Sequence, residues 1–156
     1  QPVYAAASGV VVASADYGSP WGNVIVAEHR FLENGKITKV RSLYAHLDKR
    51  LAEKGDTLKR RQQLGTVGTG GGAYPAHLHF EIRKESLFDR AATYWPSDDG
   101  KDAKWVLEHY EEPTAFIKSH GTLTVPASEA VFVIALKKQY RLFVYNKGKQ
   151  VREFPL

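Results

Sequence analysis

Two histidines separated by a single residue, His77 and His79, are the side chains in this sequence best suited to chemistry. Alternate side chains of a β-strand share one face, so a strand through this segment would turn His77, His79 and Glu81 the same way. The intervening side chains would face a core: Leu78, Phe80 and Ile82. Two imidazoles on one face can reach a single metal ion or a single substrate. A pair of solvent-facing histidines without a function is the alternative, and the pair alone leaves both open.

A third histidine, His46, ends the mostly apolar run Ser42-Leu43-Tyr44-Ala45. In isolation, a histidine in such a run is more typical of a packed or surface position than of a catalytic one. His109 and His120 lie within and at the end of predicted helices, where we expect structural or exposed positions.

The elements that must position these side chains are short β-strands. Apolar runs at 10–12 and 24–26, and a longer run from about Lys39 to His46, predict strands. Asn34-Gly35 is a strong hairpin signal, because both residues tolerate the positive φ of a type I′ turn. The Gly-rich segment 68–73 predicts a loop that leads into the His77 strand. Short strands broken by glycine favour an antiparallel sheet or sandwich over βαβ units.

The last third of the sequence changes character. The spacing of apolar residues predicts a helix over Ala103 to Tyr110, and Pro113 begins a second short helix through about Lys118. Three β-rich runs follow: Val131 to Leu136, Arg141 to Tyr145 and Val151 to Leu156. The chain ends inside the third run, which leaves a strand edge exposed and suggests that this domain is cut.

We therefore predict a mainly β protein, with an antiparallel sheet or sandwich-like core, a small helical C-terminal cap and a partial second β-domain. The predicted boundaries are 1–120 for the first domain, 121–130 for a linker and 131–156 for the start of the second domain.

The amino-acid composition limits the classes of binding partner but does not identify one. The net charge of +5 and the pI near 9.4 favour an anionic partner or a solvated basic surface. Nucleic acid fits the charge, but no recognition motif is present, and Lys59-Arg60-Arg61 lacks interleaved aromatics. An acidic polymer such as a bacterial cell wall fits equally well. The absence of cysteine excludes disulfides and thiol chemistry, and no apolar run is long enough to cross a membrane.

Taken in order, six motifs form a long match to a known family: Pro2-Val3-Tyr4-Ala5 with Ser8-Gly9-Val10-Val11; Trp21-Gly22-Asn23; Leu43-Tyr44-Ala45-His46-Leu47; Gly55-Asp56; Leu64-Gly65-Thr66-Val67-Gly68; and His77-Leu78-His79-Phe80-Glu81. Their order and spacing over residues 2–82 resemble the lysostaphin/LytM-type zinc endopeptidases. The segment 112–117 resembles the one that usually closes that domain.

The resemblance implies a zinc enzyme that hydrolyses peptide bonds in peptidoglycan, in the periplasm or outside the cell. By resemblance, His79 is the metal ligand, and His77 and His46 activate the attacking water and stabilise the oxyanion. We accordingly expect the three imidazoles to converge within about 4 to 8 Å of each other, one metal-plus-water span.

This sequence departs from the family in one respect. The family takes its other two zinc ligands from a His-x-x-x-Asp motif that precedes the position of Pro2, and these residues do not contain it. His29 cannot replace it, because it follows Gly9 and no Asp lies three or four residues later. We expect either a sequence that begins inside a longer protein or a metal-free relative that binds the wall or activates other hydrolases. The intact His77–His79 pair favours the first.

The C-terminal strands carry a weaker resemblance. The segments 133–136, 142–145 and 151–155 are similar to the opening strands of an L,D-transpeptidase domain, another family that acts on peptidoglycan. The nucleophilic cysteine of that family would lie further along the chain, and no cysteine is present. An ordinary β-hairpin extension is the alternative.

Overall fold

The structure is a computed structural model that describes residues 1–33, 36–120, 131–136, 141–146 and 149–155. Its main body is one eight-stranded sheet in which every neighbouring pair is antiparallel. The strands are β1 (Pro2–Tyr4), β2 (Gly9–Asp16), β3 (Asn23–Glu33), β4 (Lys36–Arg50), β5 (Thr57–Leu58), β6 (Gln63–Val67), β7 (His79–Lys84) and β8 (Tyr110–Glu111). They lie in the order β1-β6-β4-β3-β2-β5, with β7 beside β4 and β8 beside β7. The predicted antiparallel β fold is confirmed.

Strand β4 organises this sheet. Along one edge it pairs with β3 from Glu33↔Lys36 to Asn23↔Leu47, and the hairpin turn predicted at Asn34-Gly35 lies outside the described residues. Its other edge is divided between two strands. β7 pairs with β4 as far as Ala45↔His79, and β6 takes over at Leu47↔Val67. His46 is the residue at which β4 changes partners.

Apolar side chains cover both faces of the sheet. On β3, Ile25 and Ala27 belong to one buried cluster, and Val24 and Val26 belong to a second. The continuous apolar run at 24–27 is therefore explained by a strand with no solvent-facing side. Leu78 and Phe80 pack against the first cluster, and Ile82 is buried, as the alternation around His79 predicts.

Two short helices lie on either side of β8 in the chain and confirm the predicted helical cap. Helix α1 (Ala103–His109) begins where the side chain of Asp102 accepts a hydrogen bond from the backbone N–H of Trp105 at 2.8 Å. Helix α2 (Pro113–His120) begins with proline, and Glu112 accepts from the N–H groups of its first turn. Neither described helix is long and apolar enough to cross a membrane.

The three C-terminal runs form a separate antiparallel sheet in the order β11-β10-β9. Its strands are β9 (Val131–Leu136), β10 (Arg141–Asn146) and β11 (Lys149–Pro155). The predicted linker, 121–130, lies outside the described residues. The division into two domains and the resemblance to L,D-transpeptidases therefore stay predictions.

One histidine on β3 is part of the interior rather than of any site. His29 is 6% exposed, its Nδ1–H donates to the carbonyl oxygen of Ser8 at 2.9 Å, and its Nε2 accepts from the Ser42 hydroxyl at 2.7 Å. Burial lowers the pKa of His29, against the opposing effects of the Ser8 hydrogen bond and the Glu28 charge. The neutral imidazole is the form that fits this interior.

The lowered pKa of His29 predicts a stability that depends on pH. Between the ordinary pKa of about 6.5 and the lower folded value, the unfolded chain binds a proton that the folded chain does not. The free energy of unfolding should therefore be highest above pH 6.5 and fall below it, by up to about 1.4 kcal/mol per pH unit for this group. Urea unfolding from pH 7.5 to 5 measures the slope.

The control for this prediction is a pair of histidine variants. His29→Gln should reduce the slope without removing it, because the pKa of His46 is also lowered by burial. His77→Gln, at an exposed position, should leave most of the slope in place. An unchanged slope in His29→Gln would show that other groups cause the pH dependence.

Candidate active site

The structure brings His46, His77 and His79 together. His79 opens β7 and lies across from Ala45, while His77 precedes β7 and forms an isolated bridge with Gly68. The ring centroid of His46 lies 4.9 Å from that of His77 and 5.4 Å from that of His79. Residues more than 30 positions apart thus form one cluster at the point where β4 exchanges β7 for β6.

His46 adopts a backbone conformation that its neighbours must maintain. Its φ of 61° lies in the left-handed region, which is uncommon and strained for a residue other than glycine. Both its backbone N–H and its ring Nδ1 bond the carbonyl oxygen of Trp21, at 3.0 and 3.1 Å. This double contact with the loop before β3 fixes the ring of His46 toward the cluster.

Hydrogen bonds assign the ring nitrogens of two of the histidines. A carbonyl oxygen only accepts, so Nδ1 of His46 donates to Trp21, and Nδ1 of His77 donates to the Pro75 carbonyl at 2.8 Å. Each neutral ring therefore carries its lone pair on Nε2. Burial, and then the neighbouring charges of His79 and His77, lower the pKa of His46 despite its bond to Trp21. The lowered pKa favours the neutral form of His46, which can accept a proton.

The third histidine is the first member of a polar chain along one face of β7. Nε2 of His79 lies 2.6 Å from Oε1 of Glu81, and Oε2 of Glu81 lies 2.6 Å from Nε of Arg83. Arg83 is 2% exposed and donates further to the carbonyl oxygens of Ala91, Ala92 and Tyr94. Arg83 was not predicted from the sequence, although the same alternation that groups the histidines with Glu81 extends to it.

Aromatic side chains surround the cluster. Trp21 and Trp95 each lie 5.5 Å from the ring of His79, both edge-on, and Tyr74 lies 4.9 Å from the ring of His46. From the sequence, Trp21 was recognised only as part of a motif, and Tyr74 and Trp95 were not predicted to lie at the site. The sequence held one signal for them: Tyr74 directly follows the glycine-rich loop, and Trp95 is an aromatic residue within an irregular polar segment.

A largely apolar cavity of about 450 Å³ extends from the cluster between β7 and α1. Its walls include His79, Trp95, Val106 and Tyr110. Burial, followed by the charge of Glu81, raises the pKa of Tyr110 to about 12, so its hydroxyl stays protonated. The cavity gives the cluster a neighbouring space whose surface is mostly apolar.

The described residues supply only part of the donor set that zinc needs. Protein zinc sites use at least three ligands, commonly imidazole nitrogens and carboxylate oxygens. No group of three or more such side chains within the described part of the chain is arranged to hold a metal ion. Because Nε2 of His79 is bonded to Glu81, Nδ1 is the nitrogen of that ring left for a ligand. These residues therefore fit one ligand of a zinc site and do not complete one.

The glycine-rich loop approaches the cluster so closely that one of its glycines has no room for a side chain. A Cβ on Gly70 would lie 2.3 Å from the Pro20 carbonyl oxygen and 3.0 Å from Nδ1 of His46. Gly72, also at positive φ, has nothing within 4 Å. Gly70→Ala should therefore lower the free energy of unfolding by about 1–3 kcal/mol more than Gly72→Ala, the usual cost of overpacking. Urea unfolding of both variants tests this, and equal losses would contradict the close approach.

An antiparallel sheet thus gathers three histidines beside a cavity, and comparison with known families says which family has this sequence. Residues 1–91, more than half of the chain, match the model of peptidase family M23. The chain belongs to this family. The match ends at residue 91, so Trp95 and the helices α1 and α2 lie beyond it.

Two curated relatives each match more than half of the chain. Peptidoglycan DD-endopeptidase ShyC of Vibrio cholerae is 39% identical over 81 residues, which are 52% of this chain and 17% of that protein. Lipoprotein NlpD of Yersinia enterocolitica is 30% identical over 96 residues, 62% of this chain and 91% of that protein. The chain spans only 12 to 17% of the length of the first four curated relatives that it matches.

A solved structure shows the same fold. The solution structure of lysostaphin superposes with a TM-score of 0.52 at 25% identity, over 92% of this chain and 50% of that one. Lysostaphin is an antimicrobial peptidase from Staphylococcus simulans.

Proposed function

We propose that this chain carries three histidines of a zinc-dependent endopeptidase site that hydrolyses peptide bonds in bacterial peptidoglycan. The observation that carries the proposal is the convergence of His46, His77 and His79 from β4 and the start of β7. In this proposal His79 is a metal ligand, and His46 and His77 are the catalytic pair. Peptidoglycan is the partner, and the cell envelope, either periplasmic or secreted, is the location.

The assigned nitrogens suit these roles. Nε2 of His46 and Nε2 of His77 are the lone-pair atoms, so either ring can take a proton from an attacking water near neutral pH. The same ring, once protonated, can donate to a developing oxyanion or return the proton to the leaving amine. The chemistry that zinc supplies when bound is Lewis acidity, which lowers the pKa of water to about 7.

The relatives support peptidoglycan as the substrate. ShyC and two further matched proteins are named peptidoglycan DD-endopeptidases, and all three match over about half of this chain. The basic character of the chain, +5 overall, suits an acidic polymer.

The incomplete ligand set among the described residues favours one alternative, a module that binds the wall or activates another hydrolase without cutting. Fold alone does not decide between the two, because one fold supports both functions. Purified cell walls incubated with the chain, extended at its start by a family His-x-x-x-Asp segment, should release muropeptides in a zinc-dependent manner.

Binding to walls without release of muropeptides would favour the alternative. Binding to duplex DNA that weakens steeply with salt, with no affinity for walls, would overturn both in favour of a nucleic-acid partner.

A further inference from the structure

We propose that Glu81 and Arg83 are positioning residues that hold the His79 ring with its proton on Nε2 and its lone pair on Nδ1. This inference rests on the proposed function in one respect only: Nδ1, the nitrogen left unprotonated, is the one with which His79 would bind a metal ion. The arrangement itself is a property of this chain and can be measured without metal or substrate.

The direction of the hydrogen bonds follows from what each group can do. The guanidinium of Arg83 only donates, so Oε2 of Glu81 accepts from it at 2.6 Å. The other carboxylate oxygen, Oε1, also accepts, and it lies 2.6 Å from Nε2 of His79. Nε2 must therefore carry the hydrogen, and in the neutral ring the lone pair falls on Nδ1. This is the reverse of His46 and His77, whose Nδ1 atoms donate.

The chain of contacts is anchored at its far end. Arg83 donates to the carbonyl oxygens of Ala91 and Ala92 at 2.9 Å each and to that of Tyr94 at 3.3 Å. Arg83 is 2% exposed and Glu81 8% exposed, so water competes little for these bonds. β7 itself is fixed by its pairing with β4, where Leu43 lies across from Glu81 and Arg41 from Arg83. The ring of His79 is thus tied to both the sheet and the segment 91–94.

Aromatic rings limit any other orientation of His79. Trp21 and Trp95 both lie 5.5 Å from its centroid, at interplanar angles of 67° and 63°. Trp95 directly follows the segment 91–94, whose carbonyl oxygens accept from Arg83. The same segment of the protein therefore binds Arg83 and places an indole beside the His79 ring. A rotated ring would lose its hydrogen bond to the Glu81 carboxylate.

The variant Glu81→Gln distinguishes the positioning role from a purely structural ion pair between Glu81 and Arg83. In this variant the amide oxygen must face Arg83, because two donors cannot face each other. The amide NH₂ then points at His79, and Nε2 must accept from it. The substitution should therefore move the ring proton from Nε2 to Nδ1, whereas a structural role alone would lower stability and leave the proton where it is.

The experiment is a long-range ¹H–¹⁵N correlation spectrum of the ¹⁵N-labelled 156-residue chain. It is recorded at about pH 8.5, above the range in which imidazoles titrate. In the parent chain, His79 should show a protonated Nε2 and an unprotonated Nδ1. In Glu81→Gln the pattern should be inverted, and in Glu85→Gln, a matched change at an exposed glutamate, it should stay as in the parent.

A parent chain with the proton on Nδ1 of His79 overturns the proposal, and this measurement does not depend on whether any variant folds. A folded Glu81→Gln chain that keeps the parent pattern also overturns it. These outcomes are separate from the proposed function, because an inverted pattern in Glu81→Gln stands even if no version of the chain cuts cell walls. Conversely, if cell walls are cleaved while His79 carries its proton on Nδ1, the positioning role is wrong and the peptidase function stands.

Discussion

His79→Ala should abolish both zinc binding and cell-wall cleavage in a version of this chain that carries a family His-x-x-x-Asp segment, whereas His46→Ala and His77→Ala should keep the metal. The difference follows from the proposed roles, since only His79 is a ligand. His46 and His77 act on protons, and loss of a positioned acid or base typically costs about 10²-fold or more in turnover. Release of muropeptides from purified walls, with bound zinc measured in the same samples, separates the three variants.

The control for this series is His109→Ala. That imidazole stacks on Trp105 at 3.8 Å within α1 and has no place in the cluster, so turnover should stay near the parent value. Loss of zinc in His77→Ala with retention in His79→Ala would show that the two roles are exchanged. Cleavage at the parent rate in all three variants would end the peptidase interpretation.

The 156-residue chain by itself should bind zinc far more weakly than the same chain with the His-x-x-x-Asp segment. Four-ligand zinc sites bind with about 10–16 kcal/mol, or roughly 3 kcal/mol per ligand, so two absent ligands should cost on the order of 10⁴-fold in affinity. His77 could be recruited beside His79, but two imidazoles leave half of a tetrahedral coordination sphere to water. Calorimetric titration of both versions gives the ratio.

His79→Ala in the short chain is the matched control, because it removes the proposed ligand and should eliminate the weak binding that remains. Tight, stoichiometric zinc in the unaltered short chain would mean that these ligands are wrongly assigned.

Sequence alone predicted the parts of this molecule that depend on local periodicity. The alternation at 77–82 placed Leu78 and Phe80 against the core and His79 on the opposite face. The helical spacing after Ala103 and the proline at 113 placed α1 and α2 to within two residues. Each of these patterns arises because a strand or helix repeats with a fixed period, which the residues themselves reveal.

The convergence of His46 with the other two histidines was expected only from the order of family motifs. Nothing in the residues around His46 shows that β4 changes partners there or that its φ is 61°. Arg83 and Trp95 were missed for a related reason. Their contacts depend on the path of the segment 91–95, which has no periodicity to analyse.

Because β6 and β7 share one edge of β4, the spacing of the histidines depends on the register of the sheet. Sliding β7 by two residues along β4 would carry His79 about 7 Å from its present position, more than the 5.4 Å that now separates its ring from His46. A slip of one residue would turn its imidazole into the core. The backbone pairing of β4 with its neighbours therefore sets the distances within the site. Connections that make no contact with the histidines or with Arg83 could therefore lengthen or shorten without altering the distance between these two rings.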